Sequence, residues 1–115
     1  METVNLELVQ QAINQFANEM VYVHLETTNG AYANHNDETF FSSGAYIRNA
    51  HVHLEHGKIT GPGPFRAGIK IPLGWIYAEG ITHYTIDEKG RLLLAGYDFK
   101  GKLAVALEVS RTPFE

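Results

Sequence analysis

The fold the sequence predicts is mainly β: an antiparallel closed barrel behind one N-terminal amphipathic helix. Three observations predict it. The apolar period changes from 3.6 to 2 near Val21. Roughly seven short strand-like runs then follow, joined by short connections that carry glycine where the chain must reverse, and no βαβ rhythm interrupts them. A chain of 115 residues forms one domain, 1–115, with the helix at about 4–18 and the barrel at about 21–110.

The helix rests on Leu6, Val9, Ile13 and Phe16, spaced by three and four so that they line one face, with Ala17 and Met20 beside it. Thr3 is positioned as its N-cap, and Glu7 lies in the first turn, where the helix dipole favours an anion. Asn5, Gln11, Asn14, Gln15 and Asn18 make the opposite face polar but uncharged, suited either to water or to contact with another surface.

From Val21 onward, Val21, Val23 and Leu25 alternate with Tyr22, His24 and Glu26, so one strand face is buried. Asn29-Gly30 predicts a hairpin turn into a strand at 31–33, and residues 34–39 read as a polar loop. A strand at about 45–56 places Tyr46, Arg48, Ala50, Val52 and Leu54 on one face and Ile47, Asn49, His51, His53 and Glu55 on the other. Gly61-Pro62-Gly63-Pro64 breaks the ladder, because proline has no N–H to give. A strand of about 65–71 ends at Pro72-Leu73-Gly74. Strands at about 75–79, 81–87, 91–98 and 102–110 then read as an antiparallel meander, its turns at Asp87-Glu88-Lys89-Gly90 and Phe99-Lys100-Gly101.

Composition narrows the function classes. The formal net charge is -4, and the basic residues are scattered singly, so no stripe follows a phosphate backbone and nucleic acid is not an expected partner. The longest apolar run, 103–107, is far too short to span a bilayer, and the N-terminus lacks the pattern of a signal peptide; a cytoplasmic protein without a membrane partner is expected. With no cysteine there is no disulfide, thiolate metal site or thiol nucleophile. Ser42-Ser43-Gly44 lacks the strand–nucleophile–helix elbow of a hydrolase, and the Gly-Pro run offers no N–H cradle for phosphate.

Two residue groups remain as candidate sites. His51 and His53 stand two apart on one strand face and could grip a divalent metal, with His83 or Glu79 as a third ligand from a neighbouring strand. Gly44, His51-x-His53 and Pro72-Leu73-Gly74 resemble the metal motifs of cupin barrels in outline. The cupin glutamate is missing from Leu54-Glu55-His56-Gly57-Lys58-Ile59, and Tyr77 stands where the last histidine belongs. The second group lies on two successive strands: Arg66 and Lys70 share one strand face and suit a carboxylate or phosphate of a small ligand, or else plain solvent, while Trp75 and Tyr77 alternate on the next strand and suit an interface, or else line the core of a narrow barrel. If two subunits share strands, both can hold, and a homodimer is expected.

Several segments are distinctive as strings: 14–18 (NQFAN), 23–33 (VHLETTNGAYA), 80–84 (GITHY), 93–96 (LLAG) and 103–108 (LAVALE). Through them the chain resembles, over nearly its whole length, the YojF-like family of Bacillus and its relatives. The resemblance implies a barrel-forming dimer with swapped segments and no established activity or catalytic residues. It also implies a possible partner, a zinc-dependent N-acetylglucosaminyl deacetylase homologue linked to bacillithiol synthesis, and hence a non-catalytic accessory role. A metal-binding module at the histidines is the alternative.

Overall fold

A computed structural model describes residues 1–28 and 44–115. The Asn29-Gly30 turn, the strand at 31–33, the loop at 34–39 and Ser42-Ser43 lie outside the described residues. The order is β1 (Glu2–Thr3), α1 (Leu6–Asn14), β2 (Glu19–Thr28), β3 (Gly44–Leu54), β4 (His56–Thr60), β5 (Phe65–Ile71), β6 (Gly74–Ile81), β7 (His83–Ile86), β8 (Leu92–Tyr97) and β9 (Leu103–Ser110).

These strands form two open sheets, and this corrects the closed barrel. One sheet has six strands in the order β1-β7-β8-β9-β2-β3, the other three in the order β4-β5-β6. All the strands of both sheets come from the described residues of this one chain. The expected meander from 75 to 110 holds only for β7, β8 and β9. The strand before them, β6, pairs with β5 and not with β7. At Thr82 the main-chain N–H bonds the Ala95 carbonyl at 2.9 Å, which carries the chain out of the small sheet into the large one. Glu55 makes the other crossing, its N–H bonded to the Lys70 carbonyl at 2.8 Å.

The two sheets and α1 close on one apolar cluster. Val21, Val23, Leu25, Leu94, Leu107 and Val109 come from the large sheet, Ile59, Ala67, Ile69 and Ala78 from the small one, and Val9, Ile13 and Phe16 from the helical segment. The helix begins later than its periodicity suggests. Asn5, not Thr3, is the N-cap, its Oδ1 accepting from Leu8 N–H at 3.1 Å. Thr3 is instead engaged in β1, opposite His83. Leu6 and Met20, expected on the apolar face, are exposed. Gln10, on the flank of the helix, reaches the free edge of β4: its Nε2 donates to the Gly57 carbonyl at 3.0 Å, and its Oε1 accepts from Ile59 N–H at 3.0 Å. A side-chain amide thus stands in for the missing neighbouring strand.

The β3 faces also differ from strict alternation. Val23 pairs with Ala50 but Leu25 pairs with Ile47, so β3 spends one residue more than β2 across this stretch. The bulge reverses the phase, and Ile47 joins the inward side while Tyr46 goes to the outer side with His51 and His53. Asn49 absorbs the change with φ 56.

The two hairpin turns of the meander share one device, Asp-x-Lys-Gly. In the first, Asp87 Oδ1 accepts from the N–H of Lys89 and of Arg91, both at 2.9 Å; in the second, Asp98 Oδ1 accepts from Lys100 and Lys102 at 2.8 and 2.9 Å. Gly90 and Gly101 close the turns at φ 76 and 79, where a Cβ would be strained. Asp87 also binds the Arg91 guanidinium at 2.5 Å. Burial opposes its ionisation, but the Arg91 N–H and guanidinium and the Lys89 N–H outweigh it and hold the carboxyl below its ordinary value. Among the described residues, no helix is long and apolar enough to cross a membrane.

A carboxyl held low in the fold adds stability that is present above its unfolded pKa of about 3.9 and is lost as pH falls through the lower folded value. Asp87→Asn is therefore expected to lower the urea midpoint at pH 7, with the gap to the parent closing below about pH 4. A gap that stays constant with pH would contradict this assignment.

A cationic and aromatic face on the small sheet

Register and alternation fix what the small sheet shows to solvent. Gly57 and Ile59, Ala67 and Ile69, and Ile76 and Ala78 turn inward, and the outer face is a grid of three rows. Thr60, Arg66 and Glu79 lie across one row, Lys58, Gly68 and Tyr77 across the next, and His56, Lys70 and Trp75 across the third. Gly68 is the only position of the nine without a side chain.

That vacancy is filled from the neighbouring strand. A Cβ at Gly68 would stand 2.7 Å from Tyr77 Cε1 and 3.4 Å from Trp75 Cε3, so both rings lean across β5. They stack with centroids 5.4 Å apart and planes within 6°. His56 meets Trp75 at 5.3 Å and 81°, and the Arg66 guanidinium lies 5.3 Å from the centre of the Tyr77 ring. Glu79 holds Arg66 in place by accepting from its Nε at 2.6 Å. Despite this order, Trp75 and Tyr77 remain 43% and 48% exposed.

Lys58, Thr60 and Arg66 face the ring column across Gly68, and the space between is a shallow groove of about 160 Å³. Lys58 has no ion pair or hydrogen bond to any described residue, so its ammonium is available to a ligand. Arg66 is ion-paired with Glu79. The groove thus brings one ammonium and one guanidinium to a single face of a protein whose net charge is -4. A larger cavity, about 390 Å³, borders Thr27, Gly44 and Ala104, but its one charged side chain is Glu79, already engaged.

Of the residues singled out in the sequence, Arg66, Trp75 and Tyr77 are thus brought together. Lys70 shares their face, but its Nζ turns aside to donate to the Ile71 carbonyl at 2.7 Å and lies 3.9 Å from Glu55. His56, Lys58, Thr60 and Gly68 were missed by sequence reasoning. The signal was the glycine inside a strand, which marks a close approach by some other group.

The metal site is not assembled. His51 stacks on Tyr22, with centroids 4.3 Å apart, and His53 lies opposite Met20 on the same edge strand. His83 is on β7, four strand spacings away, about 19 Å, with its Nδ1 against the Thr82 hydroxyl at 2.7 Å. Glu79 belongs to the other sheet and pairs with Arg66. Among the described residues, no three His, Asp or Glu side chains are grouped so as to hold a metal ion. This overturns the divalent-metal reading and the histidine module with it.

Residues 3–114 match the family model described as a protein of unknown function, DUF1806. The chain belongs to this family. The uncharacterized protein YojF of Bacillus subtilis strain 168 is 49% identical over 114 residues, 99% of this chain and 98% of that one. The crystal structure of the B. subtilis YojF protein matches with a TM-score of 0.83 at 46% identity, covering 99% and 96% of the two chains. The YojF-like assignment therefore holds over nearly the full length. Neither relative's description carries an activity or a bacillithiol link, and the sheets are open, so the bacillithiol-linked accessory barrel is set aside.

Gly68→Ala is expected to evict the rings, since the added methyl takes the space of Tyr77 Cε1. Because Trp75 is the sole tryptophan, its emission should shift to the red while far-ultraviolet circular dichroism stays unchanged. Unaltered emission would show that the rings do not depend on the bare glycine.

Proposed function

We propose that this protein binds a small organic anion, a phosphate or carboxylate on a compact body such as a sugar ring, in the groove between Lys58 and the Trp75–Tyr77 stack. The observation that carries the reading is the Lys58 ammonium, unpaired among the described residues, set beside the two stacked rings that cover Gly68. Thr60 adds a hydroxyl donor and Arg66 a guanidinium held at a fixed angle by Glu79. Such a groove takes the charged end of a ligand at Lys58 and Arg66 and lets its carbon skeleton pack along the rings. Its small volume suits one anionic group better than a polymer.

Titration of Trp75 fluorescence tests this directly, since no other tryptophan contributes. Glucose 6-phosphate and inorganic phosphate are expected to change the emission saturably, and neutral glucose is not. Lys58→Gln should weaken the phosphate response at least tenfold, the effect of losing about 1.5–3 kcal/mol from a charge-assisted hydrogen bond. Equal responses in the variant and the parent, or none in either, would sink the reading.

A further inference from the structure

On the opposite side of the molecule, the outer face of the large sheet carries a second built site, occupied by the chain itself. The β3 bulge sets Asn49 at φ 56, and its amide grips both main-chain groups of one residue in the 113–115 segment: Nδ2 donates to the Phe114 carbonyl at 2.7 Å, and Oδ1 accepts from Phe114 N–H at 2.6 Å. The Phe114 ring is 7% exposed, yet it stands apart from the central apolar cluster. Its seat is polar. The guanidinium carbons of Arg48 and Arg91 lie 5.5 and 5.8 Å from the ring centre, and the His24 ring meets it at 6.3 Å.

His24 is itself only 6% exposed. Arg48 Nη1 lies 3.3 Å from His24 Nδ1, and His24 Nε2 lies 3.7 Å from Glu26. A second Arg48 nitrogen donates to the Glu115 carbonyl. Glu108, cross-strand from His24, and Asp87, bound to Arg91, complete the charged surroundings.

We propose that this seat is a docking site for an extended peptide that places an aromatic side chain between Arg48 and Arg91, and that residues 113–115 occupy it in cis as an exchangeable stand-in. A permanent structural plug calls for an apolar socket, because two arginines and a histidine under a ring give up hydration that the ring only partly replaces. Arg111 is anchored by Glu19 and the Gln15 carbonyl and Thr112 by Ser110, but among the described residues only the cage holds 113–115, which belong to no strand, and Pro113 has no N–H to offer a ladder. Its departure breaks no sheet pairing. The left-handed residue at the clamp is a local strain that the bulge maintains, as recognition sites often do. The occupant that fits is a partner segment of the same chemistry, proline followed by an aromatic residue and an acid.

The test uses a fluorescent peptide of sequence Arg-Thr-Pro-Phe-Glu, the chain's own residues 111–115. A tethered segment competes at an effective concentration in the millimolar range, so the parent protein should bind the free peptide weakly. Deleting residues 113–115 empties the seat and should let the protein bind it at least tenfold more tightly, and adding Asn49→Gly, which tolerates the left-handed backbone but removes the clamp, should abolish that gain. A folded deletion variant that binds no better than the parent, or that binds a Phe-to-Ala peptide equally well, overturns the proposal. Should that variant not fold, Asn49→Gly alone decides through hydrogen exchange. At least tenfold faster exchange at the Phe114 amide with the core unchanged supports exchangeability, whereas a Phe114 amide that opens only with the whole core overturns it.

Discussion

Burial of one face of each sheet is the constraint on which everything else depends. Two open sheets and a short helix can remove their apolar residues from water only by closing on one another, so Val21, Val23, Ile59, Ile69, Leu94 and Leu107 meet in a single cluster. Strand alternation then dictates the rest: whatever stands between those residues must point outward. His56, Lys58, Arg66, Trp75 and Tyr77 are on the outside of the small sheet for this reason, and His24 and Tyr46 on the outside of the large one. The chemistry of the protein is thus confined to two outer faces on opposite sides of the core.

Each outer face solves the same problem differently. A flat sheet surface has no concavity of its own, so a ligand site needs walls. On the small sheet, bare Gly68 lets two β6 rings fold across β5, and the wall they form faces Lys58. On the large sheet, the bulge at Asn49 breaks the regular surface, and Arg48, His24 and Arg91 form a cage that Phe114 enters. In both cases one residue with an unusual backbone or no side chain creates the relief, and cations with aromatic rings furnish it.

Much of the architecture could be read from residue order. Alternation at Val21–Leu25 and Leu103–Val109, the two Asp-x-Lys-Gly turns, and the break at 61–64 all act over a few neighbouring residues, and each element appears where those residues put it. The failures are long-range. Closure into a barrel needed β6 to pair with β7, and Thr82 diverts the chain by bonding Ala95, a partner that no local pattern announces. Tyr46 changed faces because one extra residue sits in β3, which hydropathy does not encode. His51 and His83 looked like joint ligands only while strand order was unknown. Arg66, Trp75 and Tyr77 fared better, because the short connection at Pro72-Leu73 sets the β5–β6 register and leaves little freedom in how those side chains meet.

We propose that the outer face of the small sheet, and not another surface, receives the anionic ligand. Amide chemical shifts in a ¹⁵N-labelled sample, followed while glucose 6-phosphate is added, test it most directly. Saturable shifts confined to residues 56–60, 66–70 and 75–79 are the predicted result. Shifts centred on another part of the molecule, or none at millimolar ligand, would contradict it.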